Sequence, residues 1–119
     1  MQCGKAICDC MNQLNICLAR FPYSNLIDYK IRPVLIISSK EFNENHNYFL
    51  CMPITSTEKK TDYELELTEK EFEGILKNKS FIKTDSIAGI EKDLFLKEIG
   101  KISGELFEKA KTDLMKNFN

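Results

Sequence analysis

Two arginines bracket a short polar segment near the start of the chain, and their side chains are the best suited to bind a phosphate. The chain has two arginines, Arg20 and Arg32, among its 17 lysine and arginine residues. A guanidinium stays charged and presents a planar fork of donors, so it can hold two phosphate oxygens at once, whereas a lysine acts as a point charge. Arg32 could equally pair with a nearby carboxylate such as Asp28, and residue type alone does not decide between these interpretations.

A hydroxyl and a lysine-aspartate pair follow later in the chain, in or after apolar runs. Thr55 comes at the end of a predicted strand, and from its position alone it is a threonine that merely ends that strand. Lys83 and Asp85 lie two residues apart in another predicted strand, which puts both side chains on one face. They could therefore reach one phosphate together, or simply pair with each other.

The residue types give little support to metal or cofactor chemistry, and we predict neither. The five cysteines are Cys3, Cys8, Cys10, Cys17 and Cys51. They contain no Cys-x-x-Cys pair, and the single histidine, His46, lies in another predicted loop, so we do not expect a zinc site. The acidic residues do not form the cluster that holds two metal ions for phosphoryl transfer. Cys17 and Cys51 lie in strand-like runs and are expected to be core residues.

The composition is that of an ordinary globular domain. The 119 residues are 43% hydrophobic and 29% charged, and no apolar run approaches the ~20 residues that span a bilayer. The formal net charge is −1, so any contact with nucleic acid has to come from a local basic cluster. The first ten residues lack the apolar core of a secretory signal, which together with the odd number of cysteines predicts a cytoplasmic protein.

Such a cluster is available around the arginines. Lys30 and Arg32 could be joined by lysines from other loops, and Tyr23 and Tyr29 offer rings on which the bases of a single strand can stack. Lysines scattered over a solvated surface are the alternative. The additional loop lysines are Lys40, Lys59 and Lys60.

The elements that must position these residues are mostly short strands. Residues 15–21 form an apolar run closed by turn residues, and residues 30–38 contain a β-branched run typical of a strand buried on both faces. Pro33 belongs at the start of the second strand, because it lacks an N–H and biases Arg32 towards extended backbone. Residues 22–29 are the connecting loop.

The rest of the chain continues this pattern of short elements. Strands are predicted at 47–54, ended by Pro53, at 62–67, half-exposed, and at 80–87, with short apolar pieces from 90 to 102. Residues 40–47 read as an asparagine-rich loop. The capping box Thr68-x-x-Glu71 predicts a short inserted helix, and an amphipathic helix follows Ser103-Gly104. The sum is a mainly β, α+β domain: an SH3-like, strongly bent antiparallel barrel.

Five segments, taken in order, resemble the PemK/MazF family of toxin-antitoxin endoribonucleases, also called mRNA interferases. They are RFPYSN (20–25), KIRPVLIIS (30–38), CMPITST (51–57), FIKTDSI (81–87) and EIGKIS (98–103). Their order and spacing are similar to those of the family, and they reach from the first predicted strand to the last predicted helix. Residues 1–13 match nothing in the family, so we interpret them as an N-terminal extension of a single domain, 1–119.

The resemblance implies a CcdB/MazF-like fold and the toxin of a type II toxin-antitoxin system. It implies a homodimeric, metal-independent, sequence-selective endoribonuclease that cleaves single-stranded RNA by 2′-hydroxyl attack and is inhibited by a small antitoxin protein. It also implies catalytic roles for Arg32 and Thr55, and it aligns Lys83 and Asp85 with residues proposed as catalytic in one branch of the family. The residues that we expect to contact RNA are Arg20, Tyr23, Ser24, Tyr29, Lys30 and Ser56.

Two departures from the family pattern leave a second function open. Many members carry an arginine shortly after the aspartate, where this chain has Ala88 and Gly89, and some carry a catalytic histidine in the first loop, where this chain has none. The alternative is a non-catalytic, CcdB-like toxin or binding module on the same fold, for example an inhibitor of DNA gyrase. Such a protein has no need of Arg32 and Thr55, so their presence favours the nuclease.

Overall fold

Runs of apolar and β-branched residues form the strands of a curled sheet, as their alternation predicts. This computed structural model describes residues 11–22, 29–74, 76 and 78–118. The strands are β1 (Asn15–Pro22), β2 (Tyr29–Ile36), β3 (Tyr48–Thr55), β4 (Glu64–Glu66), β5 (Phe72–Gly74), β6 (Phe81–Lys83), β7 (Ala88–Glu91) and β8 (Phe95–Ile102). The helices are α1 (Lys40–Asn45) and α2 (Gly104–Met115), with 3-10 turns at Lys92–Leu94 and Lys116–Phe118.

Antiparallel pairing joins these strands into one bent sheet. Its order in the described part of the chain is β4-β6-β3-β2-β1-β8-β5, and β7 pairs with β3. One edge of β3 pairs with β2, and the other edge pairs first with β7 and then with β6. This change of partner bends the sheet. The predicted bent antiparallel architecture with a C-terminal helix is confirmed.

The sheet buries side chains on both faces. In β2, Val34, Leu35 and Ile36 are all fully buried, because alternate side chains enter two different cores. Val34 and Ile36 pack in the core that contains Phe49, on the side that we call the inner face. Leu35 packs in the core that contains Leu106 of α2, on the side that we call the outer face.

Cys17 and Cys51 are fully buried on the inner face, which confirms their prediction as core residues. Burial, with a smaller contribution from nearby Cys17, raises the pKa of the Cys51 thiol far above its ordinary value. Cys51 therefore stays protonated and cannot act as a nucleophile.

The asparagine-rich segment predicted as a loop contains the short helix α1. Ser39 caps this helix, because its Oγ accepts a hydrogen bond from the Phe42 N–H at 3.1 Å. Asn43 is buried, and its Nδ2 donates to the Ser38 carbonyl at 3.1 Å. The loop prediction was wrong because it relied on composition, whereas the serine cap and the buried asparagine favour a helical turn.

The described residues show no helix beginning at Thr68; the chain turns there and forms β5. The N–H groups of Glu71 and Phe72 both donate to the Thr68 carbonyl, at 3.0 and 2.9 Å. Phe72 then pairs with Ile102 of β8. The prediction was wrong because a short helix is marginal by itself, whereas pairing with β8 supplies ladder bonds and buries apolar surface.

β3 continues past Pro53, where the prediction placed its end. Pro53 lies between the residues of β3 that pair with β7, up to Cys51, and those that pair with β6, from Ile54. The N–H that proline lacks would point to this edge, at the gap between the two partner strands, so no ladder bond is lost there.

The predicted strand 80–87 is two strands, because the chain turns after β6. The Ser86 N–H donates to the Lys83 carbonyl at 3.3 Å and closes this turn. The strand predicted at 62–67 is shorter than expected, since β4 covers only Glu64–Glu66. In both cases the observed strands are shorter than the sequence pattern predicts.

Residues near the N-terminal end of the described chain belong to the fold. Met11 is buried on the inner face. Leu14 links two strands, because its N–H donates to the Ile36 carbonyl and its carbonyl accepts from the Ile102 N–H, both at 3.0 Å. The rest of the predicted extension, residues 1–10, lies outside the described residues. None of the described helices is long and apolar enough to cross a membrane.

Candidate active site

The strand register places Arg32 and Thr55 on the same side of the sheet. Val34 pairs with Pro53, and the ladder between β2 and β3 ends at this pair because Pro33 has no N–H to donate. Paired residues share a face, and so do residues two apart along one strand. Arg32 and Thr55 are each two residues from that pair, so the guanidinium and the hydroxyl point to one side of the sheet.

Arg32 lies at the rim of the inner face. Along β2, the inner-face residues Ile36 and Val34 are fully buried, Arg32 is half-buried and Lys30 is exposed. The residue opposite Arg32 on β1 is Ala19, whose small side chain leaves room for the guanidinium. A charge at such a rim is partly shielded from water, which strengthens its hydrogen bonds to an anion.

Thr55, the last residue of β3, presents a hydroxyl with a hydrogen still to donate. Its side chain is half-buried, and its Oγ1 accepts a hydrogen bond from the backbone N–H of Thr57 at 3.1 Å. A hydroxyl carries one donor hydrogen beside its lone pairs. No described residue accepts the Thr55 hydrogen, so it can donate to a bound group. Ser56, the next residue, is exposed.

Lys83 joins the same face from the next strand. Phe81 of β6 pairs with Thr55, so Lys83 falls beside Pro53 on the face of Thr55. Its side chain is half-buried, and within the described part of the chain no hydrogen bond or ion pair engages its ammonium. Arg32 and Lys83 therefore lie on the two strands that flank β3, on the same face of the sheet.

Asp85 lies beyond the end of β6, so the prediction that it shares a strand face with Lys83 was wrong. The chain has already turned, and Asp85 is exposed with its Oδ1 accepting from the Ser86 hydroxyl at 3.4 Å. Among the described residues no ion pair joins Asp85 to Lys83. The alternative that the two side chains neutralise each other is therefore absent from this structure, and the catalytic role of Asp85 stays a prediction.

Arg20 is exposed on the outer face, away from Arg32. It pairs with Ile31, and successive side chains of β2 point to opposite faces. The structure therefore does not bring the two arginines together. Lys30, by contrast, shares the face of Arg32.

Most of the loop between β1 and β2 lies outside the described residues. It contains the predicted RNA contacts Tyr23 and Ser24, and also Asp28, the alternative partner of Arg32. Tyr29 is the first residue of β2. The roles assigned to these residues stay predictions.

The loop after β3 approaches the same site, and it is anchored by a residue that the sequence analysis missed. Glu64 of β4 accepts a hydrogen bond at Oε1 from the backbone N–H of Lys59, at 2.9 Å. Glu64 also pairs with Lys83 across β4 and β6. A glutamate on the polar side of an alternating strand gives no signal of such a bond, because the bond depends on how the loop folds back.

Several basic side chains lie around the site, which suits the binding of phosphates. The basic residues on the inner-face rim and in the adjacent loop are Lys30, Arg32, Lys59, Lys60 and Lys83. Within the described ranges, no group of three Asp, Glu, His or Cys residues could hold a metal ion. His46 follows α1, at the opposite end of β3 from Thr55, and its exposed ring stacks on Phe42 with centroids 3.9 Å apart.

A cleft of about 730 Å³ lies on the outer face, behind this site. Its apolar lining includes Leu18, Pro33 and Ile99. Because Pro33 precedes Val34 and follows Arg32 on the same strand, it points away from both. The sheet therefore separates the cleft from Arg32 and Thr55.

The chain folds as a bent antiparallel barrel with basic side chains at the rim of one face and a C-terminal helix on the other face. Residues 12–118 match the model of the PemK-like, MazF-like toxins of type II toxin-antitoxin systems. The match covers most of the chain, and the chain belongs to this PemK/MazF toxin family. No curated protein matches it.

Solved structures share the fold at low sequence identity. MazF from Deinococcus radiodurans has a TM-score of 0.75 and 14% identity, covering 91% of this chain and 96% of that chain. An endoribonuclease from a Mycobacterial species, in complex with its cognate antitoxin, has a TM-score of 0.74 and 15% identity, covering 91% and 94%. Mycobacterium tuberculosis toxin MazF-mt6 has a TM-score of 0.70 and 20% identity, covering 87% and 95%.

Proposed function

We propose that this toxin is a metal-independent, sequence-selective endoribonuclease that cleaves single-stranded RNA. The observation that carries the proposal is the strand register, which places Arg32, Thr55 and Lys83 on one face of the sheet. A relative of the same fold is an endoribonuclease in complex with its antitoxin, which supports the activity.

Cleavage proceeds by attack of a ribose 2′-oxygen on the adjacent phosphorus. The bond between the 2′-oxygen and phosphorus forms, and the bond between phosphorus and the 5′-oxygen breaks. The products carry a 2′,3′-cyclic phosphate and a 5′-hydroxyl. One proton leaves the 2′-hydroxyl and one reaches the 5′-oxygen, so the reaction balances without a further reactant.

Arg32 and Thr55 act on the charge that develops during this step. Negative charge builds up on the non-bridging oxygens as phosphorus becomes five-coordinate. The guanidinium of Arg32 binds these oxygens through a fork of hydrogen bonds that strengthens with the charge. The Thr55 hydroxyl donates a further hydrogen bond to the same phosphate.

Lys83 is assigned to proton transfer, because it lies on the face of Thr55 and its ammonium can supply a proton to the leaving 5′-oxygen. Asp85 lies beyond the end of β6, so its catalytic role stays a prediction. Exposed Lys30 and Ser56 hold neighbouring nucleotides.

A small antitoxin protein inhibits this toxin, which acts as a homodimer on cytoplasmic mRNA. Support comes from relatives of the same fold that were solved with antitoxins: a Deinococcus radiodurans MazE-MazF complex and the Mycobacterial endoribonuclease with its cognate antitoxin.

Exchange of each arginine for alanine tests the proposal. Purified protein is incubated with single-stranded RNA in EDTA, and product ends are identified by mass spectrometry. Arg32→Ala is expected to slow cleavage by about 10²–10³-fold, the effect of removing one strong donor to a transition-state oxyanion. Arg20→Ala is the matched control, and it should slow cleavage by less than about tenfold because Arg20 lies on the other face.

Thermal denaturation establishes that both variants are folded. Equal losses in the two variants would contradict the assignment of Arg32. Intact RNA with the wild-type protein, accompanied by trapped gyrase–DNA complexes, would instead support the CcdB-like alternative.

A further inference from the structure

Thr57 contacts the side chain of Thr55 through its backbone N–H. The Thr57 N–H donates to Thr55 Oγ1 at 3.1 Å, across a two-residue turn at the end of β3. The Thr57 side chain is exposed. The contact therefore belongs to the main chain and does not depend on the side chain at position 57.

Accepting this hydrogen bond restricts the Thr55 hydroxyl in two ways. It favours the side-chain rotamer in which Oγ1 faces the Thr57 N–H, and it occupies one lone pair of the oxygen. The hydroxyl hydrogen must then point away from the N–H. An oxygen that accepts a hydrogen bond also becomes a better donor, because the two bonds polarise each other.

The remaining surroundings of Thr55 leave this hydrogen available. In the part of the chain that the structure describes, no acceptor takes it, and the half-buried side chain lies on the face of Arg32 and Lys83. The turn therefore holds the Thr55 oxygen while its donor hydrogen stays unengaged by the described residues.

We propose that the backbone N–H of Thr57 is a positioning group for RNA cleavage, holding the Thr55 hydroxyl in the orientation that donates to the scissile phosphate. This inference rests on the proposed function of Thr55. It adds a residue that acts only through another and that a comparison of side chains cannot reveal.

A double-mutant cycle tests the proposal. Thr57→Pro removes the N–H, whereas Thr57→Ala keeps it, and each is made with Thr55 present and with Thr55→Val. Single-turnover cleavage and KM are measured for all variants. With Thr55 present, Thr57→Pro should lower the cleavage rate by about tenfold at unchanged KM, the effect of one hydrogen bond, and Thr57→Ala should change it by less than about twofold. With Thr55→Val, Thr57→Pro should cost nothing further.

An ester in place of the amide between Ser56 and Thr57 provides a second test, because it removes the N–H without the proline ring. It should reproduce the loss. The proposal is overturned if both Thr57→Pro and the ester cleave at the wild-type rate while Thr55→Val is slow. It is also overturned if Thr57→Pro and the ester are as harmful with Thr55→Val as with Thr55, because the turn is then needed for the loop alone. Failure of the proposed function would look different. The wild-type protein would then cleave RNA no faster than buffer, or Thr55→Val would cleave it at the wild-type rate.

Discussion

Two neighbours determine the setting of Arg32. Pro33 ends the ladder between β2 and β3 next to Arg32, because it has no N–H to donate. Ala19, opposite Arg32 on β1, has a small side chain and is fully buried. The guanidinium itself is partly buried. A lysine in its place would keep the charge but lose the fork.

The contribution of Lys83 to RNA affinity can be measured from the salt dependence of binding. Lys83→Ala should weaken binding of a non-cleavable single-stranded RNA and reduce the slope of log affinity against log salt by about 0.7, the effect of one phosphate contact on a single strand. Fluorescence anisotropy at several salt concentrations gives the slope.

The matched control for this measurement is Lys109→Ala. Lys109 lies on α2 and forms an ion pair with Glu71 at 3.8 Å, away from the inner-face rim. Its removal should leave the slope unchanged. An equal change in both variants would mean that RNA is attracted by the overall charge and does not contact Lys83.

Lys60 has a backbone conformation that favours glycine. Its φ of +55° lies in the left-handed region, which costs a residue with a Cβ about 1 kcal/mol. Lys60→Gly should therefore raise the free energy of unfolding by about 0.5–1 kcal/mol, as measured by urea denaturation. Lys59→Gly, at an ordinary φ, should instead lower it by about 0.5–1 kcal/mol through the entropy of the unfolded chain. The same sign for both substitutions would refute the strain at Lys60.

Among the elements, β3 connects the parts of the site. It carries Thr55 at its end, pairs with β2 and so with Arg32, and pairs with β6 and so with Lys83. Its change of partner at Pro53 brings β6 to the edge of β3 that pairs with β7 further back along the strand. The position of Lys83 beside Thr55 therefore depends on this change.

The pairing of β5 with β8 requires two glycines to pass closely. A Cβ on Gly100 would lie 2.5 Å from the Glu73 carbonyl oxygen and 2.5 Å from Phe72 Cε1. Gly100→Ala should thus lower the free energy of unfolding by about 3 kcal/mol, because the backbone carbonyl cannot move away cheaply.

Gly104→Ala is the control for this substitution. A Cβ there meets nothing within 4 Å, and Gly104 begins α2, so alanine should raise the free energy of unfolding by about 0.5 kcal/mol. Urea denaturation compares the two variants. A mild effect of Gly100→Ala would show that β5 can separate from β8 without loss of the fold.

Sequence patterns predicted elements well where local signals and tertiary contacts agree. Apolar runs, closed by turn residues in one case and rich in β-branched residues in the other, predicted β1 and β2, and Ser103 with the helical spacing of apolar residues predicted α2. The segment after Thr68 carries a helix signal, but β8 offers it a partner edge. The helix does not form there because pairing with β8 partly buries Phe72 and supplies ladder hydrogen bonds.

At the scale of the whole molecule, the curled sheet separates two surfaces. The inner-face rim carries Arg32, Thr55 and Lys83, and the outer face carries α2, the cleft and Arg20. Arg20 and Arg32 look equivalent in the sequence, but they lie on opposite faces of the sheet. Arg20 pairs with Ile31, the residue before Arg32, and neighbouring residues of a strand point to opposite faces. Family membership follows from motif order, but this division follows only from the register.

The sequence by itself determined the strand-forming runs, the C-terminal helix, the family and the residue types able to bind a phosphate, because these depend on local periodicity and on motif order. Only the tertiary structure decided which of those residues share a face. That choice depends on strand register and on the point where β3 changes partner, and a shift by a single residue would move every side chain of a strand to the opposite face. The grouping of Arg32, Thr55 and Lys83, with the exclusion of Arg20 and the displacement of Asp85, is therefore a consequence of long-range pairing.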